Sequence, residues 1–229
     1  MKLLKFSIII FIFIFIFILS TSSLYVSASE IQYKIGGKNF SFPSSYIVDL
    51  SPWGWLKSIY GLDEEVNSVF LEFSSSEIKL RNDVHIDDGL GIRRSIFVSV
   101  EYYADLAKKR YLDTSRWSSI WYAKNYDSDR EVLFDDLSQF YFIFEKHGYR
   151  GLFDIFSVMP TGELPVNRDD FYVATCDSSS ISEIKHSGCT RQLLIDDLMI
   201  EIGFPFHYLS HIQDIETFVI SKLNAWEVK

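Results

Sequence analysis

The sequence predicts an α+β fold, a twisted antiparallel sheet with a C-terminal amphipathic helix packed on one face. Three observations predict it. Short runs rich in β-branched and aromatic residues recur along the chain, each bounded by Asp, Asn, Gly or Ser. These runs do not alternate with long helical patterns, which argues against a parallel doubly wound sheet. The hydrophobic period then changes after Pro205 from two residues to between three and four. A β-sandwich is the alternative that the same strand runs allow.

The elements follow in order. Lys2 and Lys5 precede an apolar run from Phe6 to Leu19, which is short for a helix crossing a bilayer. Val26-Ser27-Ala28 fits the small-x-small rule for signal peptidase, so residues 1–28 read as an export signal cleaved after Ala28. An uncleaved anchor extended through Leu24, Tyr25 and Val26 is the alternative. Residues 29–229 read as a single domain, since about two hundred residues bury one substantial core and no long linker divides them.

In "IQYKIGGKNFSF", Ile31, Tyr33 and Ile35 alternate with polar residues before Gly36-Gly37, and Phe40 and Phe42 alternate after it. This predicts a β-hairpin whose glycines supply positive φ, closed by Pro43, which cannot donate to a ladder. The segment 44–65 is broken by Pro52, Gly54 and Gly61 and reads as a loop with aromatic anchors. Strands are predicted at Ser68–Phe73, Ser95–Ala104, Arg116–Lys124, Phe140–Glu145 and Gly151–Met159, with a turn over Lys146–Tyr149 and a short helix at Ser75–Leu80 capped by Ser75 or Ser76.

Later, "DFYVATC" leads to the two cysteines, Cys176 and Cys189, and "TRQLLI" and "LMIEIGF" face each other across Asp196-Asp197. Ser210 and Gln213 have capping-box spacing. Ile212, Ile215, Val219, Leu223 and Trp226 form one helical stripe. Export places the cysteines in an oxidising compartment, so they read as a disulfide across the polar loop between them. Such a closure stabilises a fold by about 3 kcal/mol in the chain-entropy model.

No motif assigns a catalytic residue. His207 and His211 have helical metal-ligand spacing, but the residues between them lack the glutamate of a zinc protease and no third ligand is evident, so no metal or cofactor is expected. Ser76 and Ser182 each begin a Ser-x-x-Lys string without the signatures that accompany it in serine acyl-transferases. The acid pairs Asp87-Asp88, Asp135-Asp136, Asp169-Asp170 and Asp196-Asp197 fall at predicted turns, where Asp serves local hydrogen bonding.

Formal net charge is −9, and removal of Lys2 and Lys5 with the signal takes it to −11. Such a chain repels phosphate backbones and anionic lipid, so neither nucleic acid nor, after signal cleavage, a membrane is an expected partner. Trp53, Trp55, Tyr60, Trp117, Trp121, Tyr122 and Tyr126 lie in or near irregular segments; of these, Trp53, Trp55, Tyr60, Trp117, Trp121 and Tyr126 are the candidate partner-binding residues. The opposite reading is that they close the core over the sheet edges. Exposed aromatics beside acidic loops suit one basic protein partner.

The export signal, the Gly-Gly-Lys hairpin leading into "FSFPSSYI", the late two-cysteine loop and the short strand pair before a terminal helix together resemble small exported bacterial immunity proteins associated with type VI secretion effectors. The resemblance implies a periplasmic, non-enzymatic protein that binds a cognate toxin, and it carries over no contact residue. Two readings from other classes stand beside it. One is a secreted hydrolase in which Asp169 or Asp170 meets Glu101 in a cleft; the other is an envelope ligand-binding protein that uses the sheet face.

Overall fold

The computed structural model describes residues 30–48, 64–78, 95–103, 105–123, 130–145, 151–177, 184 and 187–228. The export signal, Asp87-Asp88, the turn at 146–149, Lys79, Ser182 and Lys185 lie outside them. Strands β1 (Glu30–Ile35) and β2 (Lys38–Pro43) form the predicted hairpin. Gly36 and Gly37 take φ of 57° and 82°, the two positive values that a primed two-residue turn requires. Adding β3 (Glu64–Glu65) and the C-terminal β12 (Glu227–Val228) gives a small sheet in the order β12-β2-β1-β3.

The larger sheet holds β4 (Ser68–Ser74), β5 (Ser95–Tyr102), β6 (Arg130–Asp135), β7 (Phe140–Glu145), β8 (Leu152–Phe156), β9 (Tyr172–Asp177), β10 (Gly188–Ile195) and β11 (Leu198–Pro205). Its order is β4-β5-β11-β10-β9-β8-β7-β6, with every neighbouring pair antiparallel. Two helices follow β5, α1 (Asp105–Leu112) and α2 (Ser118–Tyr122), and α3 (Ile212–Trp226) follows β11. This is the α+β layout that the sequence predicts, and it replaces the sandwich alternative.

Period-two alternation explains the core. Val69, Leu71, Phe73, Ile96, Val98, Val100, Ile200, Ile202 and Phe204 all point to one face, where each is buried. The apolar stripe Ile212, Ile215, Val219 and Leu223 of α3 covers that face together with Ile35, Phe40 and Phe42 of the hairpin. At the seam, Trp226 stacks on Phe73 with centroids 5.9 Å apart and meets Phe42 edge-on at 5.6 Å. Burying side chains of this size contributes roughly 1.5–3 kcal/mol each.

A second cluster on the opposite face departs from the sequence reading. Of the expected strand Arg116–Lys124, the described residues 116–123 belong to a 3₁₀ turn (Ser115–Trp117) running into α2. Asp113 starts the turn by accepting the Ser115 N–H at 2.9 Å. A strand would place Ile120 opposite Trp117 and Trp121, whereas helical spacing puts all three against Ile143, Phe156, Phe171 and Tyr172. Burial of three large apolar groups therefore outweighs the β propensity of the segment.

Smaller corrections have equally local causes. The short helix after β4 is a 3₁₀ turn (Ser75–Glu77), and its cap is Ser74, reciprocated by Glu77. Strand β5 ends at Tyr102, and β8 spans only Leu152–Phe156, where the pairing with β9 shifts register. Ser210 does not cap the last helix: it sits within a 3₁₀ turn (Phe206–His211), and His211 occupies the cap position. Buried Tyr208 and Leu209 draw that turn onto the core, which delays the helix.

The cysteines form the expected disulfide. They are directly opposed residues of β9 and β10, so the bond joins two paired strands and closes the connection between them at its base.

Candidate partner-binding face

The face of the large sheet opposite α3 is covered unevenly. Over β7, β8, β9 and β10 it carries α1, α2 and the second aromatic cluster. Over β4, β5 and β11 the outward rows expose large apolar side chains. Register places Phe70 opposite Ser99, Ser99 opposite Glu201, Glu72 opposite Phe97, and Phe97 opposite Gly203. Phe97 and Phe70 are thus diagonal cross-strand neighbours, within reach of one another, and they are 53% and 41% exposed.

Gly203 lacks the side chain that would flank Phe97, so the ring lies beside open backbone; a Cβ there would meet Phe97 Cβ at 3.8 Å. Glu72, Glu101 and Glu201 interleave with the rings. Glu72 accepts a hydrogen bond from Ser95, and Glu101 accepts one from Ser99 at 2.9 Å. Gln192 donates to Glu201 at 2.9 Å. The described outward positions of these three strands hold three carboxylates and no lysine or arginine. An apolar centre with an acidic surround results.

The covered half of the face contains a polar core. The Arg168 guanidinium lies 4.2 Å from the rings of both Tyr111 and Tyr172 and donates to Gln192 at 3.2 Å, although its Nε has no hydrogen-bond partner among the described residues. Asp154 accepts from Trp117 Nε1 at 3.2 Å and from the Thr175 hydroxyl at 2.6 Å. Burial pushes the Asp154 carboxyl above the usual carboxylate range, and the hydrogen bond from Thr175, the Arg116 charge and the bond from Trp117 offset part of that shift. Beside it is a concavity of about 280 Å3 lined by Arg116, Trp117, Ile120, Ile143, Leu152, Phe153, Asp154 and Thr175.

Of the candidate binding residues, Trp53, Trp55, Tyr60 and Tyr126 lie outside the described residues. Trp117 and Trp121 are 2% and 3% exposed, with their indole N–H groups turned inward to Asp154 and the Gly162 carbonyl. Their reach across the second cluster is what buries them. Phe70 and Phe97, which the sequence reading placed only within strands, are exposed, as are Tyr102, Tyr122 and Phe134 elsewhere among the described residues. For Phe70 and Phe97 alternation was the available signal, since each occupies the polar parity of its strand.

The hydrolase alternative does not assemble as expected. Glu101 belongs to β5, and Asp169 and Asp170 lie in the 3₁₀ turn (Arg168–Asp170) that precedes β9, with β11 and β10 between those strands. Asp169 instead lies 3.6 Å from Arg191, which also pairs with Glu216 of α3 at 2.7 Å. Among the described residues no group of three or more His, Cys, Asp or Glu is arranged to hold a metal ion.

No protein-family model and no curated protein sequence matches the chain. Among solved structures, one that is similar is an immunity protein of the Stenotrophomonas maltophilia type IV secretion system, at 10% identity and a TM-score of 0.43, covering 88% of this chain and 94% of that one. The system named there is type IV, where the sequence layout resembles immunity proteins of type VI effectors.

Proposed function

We propose that this chain is an exported binding protein that acts as an immunity protein, engaging one basic toxin through the outer face of β4, β5 and β11. The observation that carries the reading is the exposed Phe70–Phe97 pair surrounded by Glu72, Glu101 and Glu201. The two half-exposed phenylalanines leave apolar surface in water side by side, and aromatic anchors of this kind dominate protein interfaces when a partner desolvates them. The carboxylates select a partner rich in lysine or arginine by charge complementarity.

Export is supported by the sequence signal at residues 1–28 and by the disulfide, which persists in an oxidising compartment such as the periplasm. The test is co-expression of tagged residues 29–229 with the neighbouring gene, followed by mass spectrometry of the purified material. A stoichiometric toxin is the expected result. Purification of the chain alone, with only weak and non-saturable binding to that gene product, would overturn the reading.

A further inference from the structure

The turn between β6 and β7 exposes an apolar residue on a backbone held unusually firmly. Leu137 is 91% exposed at its tip, and Phe134, its ring tilted 44° to that of Tyr141 with centroids 4.9 Å apart, is 48% exposed at its base. The Asp135 carboxylate accepts from the Ser138 N–H at 2.8 Å and from the Ser138 hydroxyl at 2.6 Å. Gln139 donates its N–H to the Asp135 carbonyl and its side-chain amide to the Asp136 carbonyl, both at 2.8 Å. Gln139 also takes a φ of 62°, a left-handed conformation that is unfavourable for a residue with a side chain.

Folding gains nothing from presenting leucine to water on a strained turn. Recognition does gain, because an ordered loop loses little conformational entropy when it docks. Resting on the immunity reading above, we infer that the β6–β7 turn is an insertion element, placing Leu137 in an apolar socket of the toxin whose lysine or arginine rim meets Asp135 and Asp136. Leu137 is the anchor and the carboxylates orient its entry. The turn and the Phe70–Phe97 face are separate parts of the surface, at opposite edges of the strand order.

The experiment titrates a catalytically inactivated form of the toxin encoded beside this gene into residues 29–229, as wild type, Leu137→Asp, Leu137→Met, Asp136→Lys and Phe97→Asp. Leu137→Asp is expected to weaken binding about thirtyfold or more, Leu137→Met to stay near wild type, and Asp136→Lys to slow association in a salt-dependent way. Because Leu137 is exposed, thermal unfolding of its variants should match wild type. Binding within threefold of wild type for Leu137→Asp, alongside a loss for Phe97→Asp, would overturn the insertion element and leave the immunity reading standing. Absence of a wild-type complex would overturn both.

Discussion

At Gly36, backbone and packing demands coincide. Its φ is 57°, and a Cβ added there would lie 2.3 Å from Tyr102 Cδ2, in the ring that seats the hairpin on the end of β5. Gly36→Ala should destabilise the protein by about 2–4 kcal/mol, combining left-handed strain with overpacking, as read from the urea midpoint. Gly37, with φ of 82° and open space around it, isolates the strain alone and should cost less. Asp154 gives a prediction in pH. Its pKa is raised by burial, so between the unfolded and folded values the folded state holds a proton that the unfolded state releases. Stability from this group therefore falls as pH rises through that window, and the cost is fully present above the folded pKa. Asp154→Asn should remove this slope, which urea unfolding from acidic to neutral pH would detect; an unchanged slope would contradict the assignment. The paired glycines were legible because only glycine suits the turn so well. The burial of Asp154 was not, since it depends on Trp117 and Thr175 arriving from distant parts of the chain.

Elements were readable where one period dominated. The β10–β11 hairpin and the α3 stripe follow their alternation and helical spacing; of the five predicted stripe residues, Ile212, Ile215, Val219 and Leu223 are buried and Trp226 is half-buried. Ile215, 1% exposed, should lose about 2–5 kcal/mol of stability on replacement by alanine, the range for large-to-small core changes. Besides the two-residue strands β3 and β12, two longer elements escaped the reading. Strand β6 begins with Arg130, a buried cation whose guanidinium reaches the carbonyls of Ile120 and Trp121, so its polar start masked the strand. Helix α1 is Lys- and Arg-rich, and its short run DLAKKRYL offers no apolar stripe. The disulfide was legible from compartment and cysteine count, but its place at directly opposed strand positions depended on register. Replacing Cys176 and Cys189 together by serine should lower stability by about 2–4 kcal/mol, measured as a shift in the denaturation midpoint under non-reducing conditions. No shift would mean that the β9–β10 pairing already restrains the loop.

At the scale of the molecule, the two faces of the large sheet are covered differently. One face is sealed by α3 and the hairpin. The other is sealed over β7 to β10 and left exposing Phe70 and Phe97 toward the β4 edge. The partial cover could not be read from sequence, because the helical packing of Trp117, Ile120 and Trp121 decides which outward residues remain in water. If the proposed partner is a basic toxin, the acidic surround makes association slow as salt rises, through weaker long-range attraction, while dissociation changes less. Stopped-flow association across an ionic-strength series checks this, and a salt-independent rate would remove the electrostatic part of the account. The most direct test of the central claim is calorimetric titration of that toxin with wild-type residues 29–229 and with Phe97→Asp. Wild type should bind one-to-one with nanomolar affinity and the variant about thirtyfold or more weakly, both titrated at a temperature where each is folded; equal affinities would contradict the proposed face.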